Sequence, residues 1–339
     1  MDTAFSDDIA HIVYASDQKF AEILGVSLTS LFENNKDMDR IFVYILDQSI
    51  ASGDKEKIED VCARYGRDRP AWIPARDISR ELQMQIDTDR GSISQYARLF
   101  LSSALPDDLD RVLYLDCDIL IDRSIKDLWG LDLQGKVIAA LMDAFSRAYR
   151  VNIDLEPEDI MFNSGVMLVD LKAWKDKDVE TRLLDFIAKH GGRIQQGDQG
   201  ALNAVLSHDT YCFEPRFNSI TIFYDFTYGE MLSYRKPPSF YPEEQVKRAI
   251  EEPVLIHFTT SFLSKRPWIE GCQHRYVHKW LHYKELSPWK DQKLWKDDRT
   301  EWKRMMLMIY QRLPDKVALW IAGMMQAYGR PWGRRIQRG

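Results

Sequence analysis

The stretch Val112-Leu113-Tyr114-Leu115-Asp116-Cys117-Asp118-Ile119-Leu120 decides how this chain is read. Its apolar, β-branched run predicts a strand buried on both faces. The run meets two carboxylates separated by one residue. In an open α/β sheet, chemistry sits just beyond the carboxyl ends of the strands. No obvious Lys or Arg nearby neutralises the pair, so adjacent acids predict a cation between them. A hard divalent ion is the usual solution, and it commonly also holds a phosphate. The plainer alternative makes Asp116 a turn residue and leaves Asp118 solvated.

Strands and helices alternate outward from this stretch. Residues 9–16 (IAHIVYAS) predict a first strand. After Asp17-Gln18-Lys19, the residues Phe20, Ile23, Leu24, Ser27, Leu28 and Leu31 recur at helical spacing. Asp17 is placed to accept from a base N–H or to cap that helix. No Gly-x-Gly-x-x-Gly follows the strand, so a dinucleotide fingerprint is absent. Further strands are predicted at 41–46, 70–73, 137–141, 160–169, 211–217 and 253–258. Helices are predicted at 50–65, from 93 onward, at 180–190, and after Gln196-Gly197.

Several side chains in this frame point to chemistry. Asp143 follows the 137–141 strand, as Asp116 and Asp118 follow theirs. Asn163-Ser164-Gly165 interrupts an apolar run, and glycine within a strand often marks close backbone approach. Arg98 lies among apolar neighbours, so its guanidinium needs a carboxylate or phosphate. Asp198 stands at a helix start, where capping is the commoner use. His257 ends the last strand. Beside the acid pair it makes a third metal ligand, and imidazole suits Mn(II) better than Mg(II). Lys265 and Arg266 follow, either for a phosphate or as a solvated patch.

Composition excludes several classes. The formal charge of −6 argues against a nucleic-acid binder. Cys62, Cys117, Cys212 and Cys272 are scattered, which predicts neither a zinc site nor a disulfide framework and implies a reducing compartment. The acidic start, Met1-Asp2-Thr3-Ala4-Phe5-Ser6-Asp7-Asp8, has no apolar signal core, and no run is long enough to span a bilayer. From Trp302 onward the chain changes character. Lys303, Arg304, Arg312, Lys316, Arg330, Arg334, Arg335 and Arg338 face the single acid Asp315, interleaved with Met, Leu, Ile and Trp. Pro314 divides this tail into two short amphipathic helices. Such helices predict attachment to an anionic membrane surface; the alternative is packing on the catalytic domain. The expected division is a catalytic domain over 1–270 and a helical, basic extension over 271–339, in a cytoplasmic protein attached peripherally to the inner face of the cell membrane.

The motifs Ile12-Val13-Tyr14-Ala15-Ser16-Asp17, Tyr96-Ala97-Arg98-Leu99, Leu115-Asp116-Cys117-Asp118, Phe162-Asn163-Ser164-Gly165-Val166, Gly197-Asp198-Gln199 and Ile256-His257-Phe258…Pro267-Trp268 occur in one order. Together they resemble glycosyltransferase family eight, the retaining bacterial lipopolysaccharide galactosyl- and glucosyltransferases and glycogenin relatives, over about residues 9–268. The resemblance implies an α/β GT-A fold, a UDP-sugar donor, Mn(II) with Mg(II) as the alternative, and a saccharide or glycolipid acceptor. It implies metal ligation by Asp116, Asp118 and His257. Tyr14, Ala15, Asp17, Lys19, Asp116, Cys117, Ser164, Lys265 and Arg266 would line the donor nucleotide. Arg98, Asp143, Asn163 and Asp198 would surround the donor sugar, with Gln199 beneath the anomeric carbon.

The chain departs from the family pattern in two places. The segment from His257 to Trp268 is longer than usual and lacks its Gly, so either Lys265 or Arg266 takes the phosphate-binding place. Lys19 stands where the family has Asn. Two rival enzyme classes fit worse. A haloacid-dehalogenase-like phosphatase wants Thr or Val at the position of Leu120 and its motif in the first strand. A nucleotidyltransferase wants a Gly-rich loop where Ser16-Asp17-Gln18 stands. A non-catalytic scaffold would be favoured by a missing metal ligand, and all three are present.

Overall fold

The apolar runs become strands because each has two faces to bury. The computed structural model describes residues 8–87, 93–297 and 299–336. In chain order the strands are β1 (Ile9–Asp17), β2 (Arg40–Gln48), β3 (Ala71–Pro74), β4 (Arg111–Leu115), β5 (Ile119–Ile121), β6 (Ile138–Met142), β7 (Phe162–Asp170), β8 (Thr210–Cys212), β9 (Ser219–Ile220) and β10 (Leu255–His257). Seven form one sheet in the order β3-β2-β1-β4-β7-β6-β8; β5, β10 and β9 form a second, three-stranded sheet. Within β4, Leu113 and Leu115 join one buried cluster and Val112 and Tyr114 the other, so the sheet has a core on each face.

Mixed strand direction gathers the functional ends. β1, β2, β3 and β4 run parallel, joined by crossovers that include the helices Ala21–Glu33 and Ser52–Arg64. β7 runs antiparallel between β4 and β6. The carboxyl ends of β1, β4 and β6 therefore meet the beginning of β7 at one edge. A register shift between Ala140 and Leu141, opposite Met167 and Asn163, bulges Ser164-Gly165-Val166 there.

Some predicted elements differ in extent. The 112–120 run breaks at Asp116–Asp118, and Ile119 onward crosses into the second sheet as β5. The 211–217 strand stops at Cys212, because Pro215 begins a 3₁₀ turn, Pro215–Asn218. The helix from 93 is a 3₁₀ segment, Ile93–Phe100, continued by the α-turn Leu101–Ala104.

Packing runs across position 270. Tyr276, Trp280, Tyr283 and Trp289 join the larger core cluster, and the helix Val277–Leu286 lies on Ala21–Glu33. Gly25 makes room for this, since a Cβ there would lie 2.1 Å from the Trp289 ring.

The tail forms Glu301–Arg312 and Asp315–Met324, divided at Pro314, then a π-turn Met325–Gly329 and the helix Arg330–Ile336. One side of it docks. Gln326 is buried against the Tyr149 and Tyr234 hydroxyls at 3.1 and 3.4 Å, and Asn152 Nδ2 donates to the Pro331 carbonyl at 2.8 Å. The other side leaves Met308, Ile309, Val317, Trp320, Met325, Tyr328 and Trp332 exposed. Arg338 lies outside the described residues, as do the side chains of Trp302 and Arg335. No helix among the described residues is long and apolar enough to cross a membrane.

Candidate active site

The site is assembled by backbone pairing between the two sheets. The Asp116 N–H donates to the Gly165 carbonyl at 2.8 Å, which ends β4 against the bulge in β7. Antiparallel pairing of β10 with β5 sets His257 opposite Ile119, and the Phe258 N–H donates to the Asp118 carbonyl at 3.0 Å. His257 is thereby carried to the acid pair. Its Nε2 lies 3.1 Å from Asp118 Oδ1 and 3.8 Å from Asp116 Oδ2. One ligand atom from each of the three residues lies within 4.8 Å of the others.

Gly165 makes this approach possible. A Cβ there would lie 2.2 Å from His257 Cε1 and 2.9 Å from Asp116 Oδ2. The chain leaves a cradle where a side chain would push His257 and Asp116 aside. Two carboxylates and an imidazole form an oxygen–oxygen–nitrogen set, which fits a divalent metal ion.

The sequence expectation of an acid pair without a nearby cation is corrected here. Arg98, from the 93–100 segment, places Nη1 2.9 Å from Asp116 Oδ1 and Nε 2.8 Å from Asp198 Oδ2. Arg266 Nη2 stands 3.5 Å from Asp118 Oδ2. Neither arginine is a local neighbour of the acids; the tertiary fold delivers both. Burial alone would lower the Arg98 pKa, but Asp116 and then Asp198 outweigh it and hold the guanidinium charged. The Tyr114 hydroxyl donates to Asp116 Oδ1 at 3.0 Å, so this strand residue serves the site as well as the core.

Asp198 also departs from its local expectation. Gln196, in the left-handed region at φ 68°, occupies the cap of the helix Gly197–Leu206, and Asp198 lies inside the first turn. Gly197 supports this tight entry with φ +57°. Asp198 therefore spends its carboxylate on Arg98. Gln199 Oε1 accepts from the Ser164 N–H at 3.3 Å. Asp143 is buried, and Asn163 Nδ2 donates to its Oδ2 at 3.4 Å. Among the described residues, Asp143 Oδ1 is a buried oxygen with no hydrogen-bond partner.

Along β1, Asp17 Oδ1 accepts from the Phe20 N–H at 3.1 Å, so it caps the first helical turn. Tyr14 is buried with its hydroxyl 3.1 Å from Ser27 Oγ, and Cys117 Sγ lies 3.2 Å from the Ala15 carbonyl. Burial pushes the Cys117 thiol pKa up, which marks it as a packed neutral group. Lys19 lies over the Trp295 ring at 5.5 Å.

The loop after β10 separates its two cations. Lys265 Nζ is drawn to Asp297 at 3.2 Å and to the Glu270 carbonyl at 2.9 Å, while Arg266 faces Asp118 and donates to Thr260 Oγ1 at 2.6 Å. Ser261 and Ser264 both donate to Asp225 and pin the loop that lacks the expected Gly. Sequence reasoning missed Tyr114, Asp225 and Asn218: Tyr114 reads as part of an apolar strand, and Asn218 and Asp225 lie in no motif.

Residues 11–271 match the pattern of glycosyl transferase family 8. The chain belongs to that family. It is a glycosyltransferase with a GT-A fold. It is 26% identical to General stress protein A of Bacillus subtilis (strain 168) over 84% of this chain and 96% of that one. It is 28% identical to the lipopolysaccharide 1,2-glucosyltransferase of Escherichia coli (strain K12), over 84% and 80% of the two chains. The crystal structure of the galactosyltransferase LgtC in complex with donor and acceptor sugar analogues superposes with a TM-score of 0.69 at 23% identity, covering 82% of this chain and 96% of that one. At that identity the likeness supports the fold.

Proposed function

We propose that this family 8 member is a retaining transferase that moves glucose or galactose from its UDP-sugar to a saccharide of the cell surface. The acceptor is a lipid-linked glycan or a glycosylated protein. The names of the glucosyl- and galactosyltransferase relatives support this class of substrate. The observation that carries the reading is the cluster of Asp116, Asp118 and His257 within 4.8 Å, with Gly165 bare beside it.

These three residues would hold Mn(II), or Mg(II) in its place. A bound divalent ion supplies Lewis-acid stabilisation of charge on a departing diphosphate. Arg266 faces the same carboxylates and is the better placed of the two loop cations to meet that diphosphate. Tyr14, Ala15, Asp17, Lys19, Cys117 and Ser164 would border the nucleotide. The unsatisfied Asp143 Oδ1 suits a sugar hydroxyl donor, with Asn163, Asp198 and Arg98 around the same ring.

An amide is a poor nucleophile, so Gln199 acts by position. The acceptor oxygen attacks the anomeric carbon on the face that UDP leaves. The carbon–oxygen bond to UDP breaks, and the acceptor proton passes to the leaving phosphate oxygen. Gln199 steadies the positive charge that develops between these events. The exposed tail face, with cations beside Trp320 and Trp332, would hold the enzyme at the inner face of the membrane.

The test is UDP release from a panel of UDP-sugars, with Mn(II) and with chelator, for wild type and Asp118→Ala. Metal-dependent release from one sugar, lost in the variant, is the expected result. Failure to bind or turn over any UDP-sugar would overturn the reading.

A further inference from the structure

Behind the ligand cluster the buried polar groups form one directed chain. The Gly165 N–H donates to Asn163 Oδ1 at 3.1 Å, and Asn163 Nδ2 meets Asp143 Oδ2 at 3.4 Å. A backbone N–H only donates, so the Gly165 contact holds the Asn163 amide in one orientation, with its Nδ2 turned to Asp143. Asn218 Nδ2 then donates to Asn163 Oδ1 at 3.0 Å, which turns Asn218 Oδ1 toward His257 Nδ1, also at 3.0 Å. An amide oxygen cannot donate. The proton of that last bond therefore belongs to Nδ1, whether the ring is neutral or charged. In the neutral ring the lone pair falls on Nε2, the nitrogen that faces Asp116 and Asp118.

The surrounding backbone fixes Asn218. It is 0% exposed, and it closes the turn Pro215–Asn218. The next residue, Ser219, pairs with Ile256 of β10 beside His257. One strand pairing therefore sets the distance between Asn218 and the imidazole.

We infer that Asn218 is a positioning residue that holds His257 in the Nδ1–H form, so that Nε2 is the atom offered to the metal. The inference rests on the proposed reading of His257 as a ligand. Partners of this kind set ring orientation and ligand basicity in metal sites, and their loss typically costs about 10- to 100-fold in metal affinity.

Two measurements test it. Nitrogen NMR of 15N-histidine-labelled wild type should find a proton on His257 Nδ1 before and after addition of Mg(II) and UDP. An unprotonated Nδ1 overturns the inference without any variant. Mn(II) affinity in the presence of UDP, read by electron paramagnetic resonance, should fall about 10- to 100-fold in Asn218→Leu and less in Asn218→Asp, which keeps an acceptor at Nδ1. Equal affinity of Asn218→Leu and wild type overturns it. His257→Ala separates the two levels: loss of Mn(II) there with none in Asn218→Leu defeats the Asn218 role alone. No loss in His257→Ala defeats the ligand assignment and this inference with it.

Discussion

The strand-end site and the C-terminal tail both mix cations with apolar groups, and they handle the mixture in opposite ways. In the site, Arg98 is buried and each side of its fork meets a carboxylate, Asp116 on one and Asp198 on the other. In the tail, Lys303, Arg304, Arg312, Lys316 and Arg330 are exposed beside exposed Met and Trp side chains. A buried charge tolerates no missing partner, so the site depends on geometry. A solvated cation beside an apolar face needs only the right composition, so the tail depends on amount. Site substitutions should therefore act steeply, and tail substitutions gradually.

The steepest effect is expected at a residue with no side chain. Gly165→Ala puts a methyl group 2.2 Å from His257 Cε1, and the Asp116 N–H bond to the Gly165 carbonyl and the pairing of Val166 with Leu115 hold the backbone there. Turnover of the proposed UDP-sugar donor should fall by about 100-fold or more, because a displacement of about 1 Å at reacting groups has that cost. Steady-state UDP release checks this, and a fall under tenfold would show that the cradle is loose.

Next comes Arg98→Met. It removes the cation between two acids while filling much of the space. Breaking a buried pair typically costs about 3–5 kcal/mol, and urea denaturation should show a loss in that range. The same experiment on a tail cation, Lys316→Met, should move stability by less than about 0.5 kcal/mol, since surface changes away from special features rarely do more.

Two buried histidines sharpen the contrast. His257 faces acids and Asn218, whereas His274 has Phe258 and Tyr224 rings against it at 4.9 and 4.7 Å. Burial depresses the His274 pKa to about 4. The unfolded chain, with an ordinary value near 6.5, then binds the proton more readily than the folded one. Stability from this residue is whole above about pH 6.5 and declines as pH falls toward 4, by at most about 3 kcal/mol. Melting temperatures from pH 7.5 to 4 should fall less steeply in His274→Phe than in wild type. Parallel curves would mean the ring is hydrated in the folded protein.

What was legible in the sequence follows from the range of each interaction. β1, β2, β4 and β7 are visible because their burial repeats residue by residue. The Asp116–Asp118 pair stands out because both acids lie at one strand end, and His257 because it ends another. The partnership of Arg98 with Asp116 and Asp198 is not local: it joins three segments, and no spacing encodes it. Asn218 is the extreme case. It follows the end of the predicted 211–217 strand and belongs to no motif, and its role exists only once β9 lies beside β10. Asp198 read as a helix cap because local chemistry favours that use, and the buried Arg98 overrides it.

The smallest effect on the folded enzyme should come from the tail, and it decides what the uncovered face is for. Trp320 and Trp332 are 63% and 68% exposed, so neither holds the tail to the domain; Gln326, the Ala327 and Pro331 carbonyls and the Arg334–Asp87 pair do so. Changing both to Glu leaves the docked side intact. Melting temperature and UDP release from soluble donor should stay close to wild type. Binding to vesicles that contain anionic lipid should weaken by about 10- to 100-fold, from lost apolar burial and from repulsion by the added charges. Deleting the tail is a poorer probe, because Gln326 contacts Tyr149 on the segment that follows Asp143, and removal would disturb the catalytic side as well. Unchanged vesicle binding by the double variant would assign the exposed face to some purpose other than a lipid surface. An equal fall in UDP release would show that the two regions are coupled, and the division between geometry and amount would not hold.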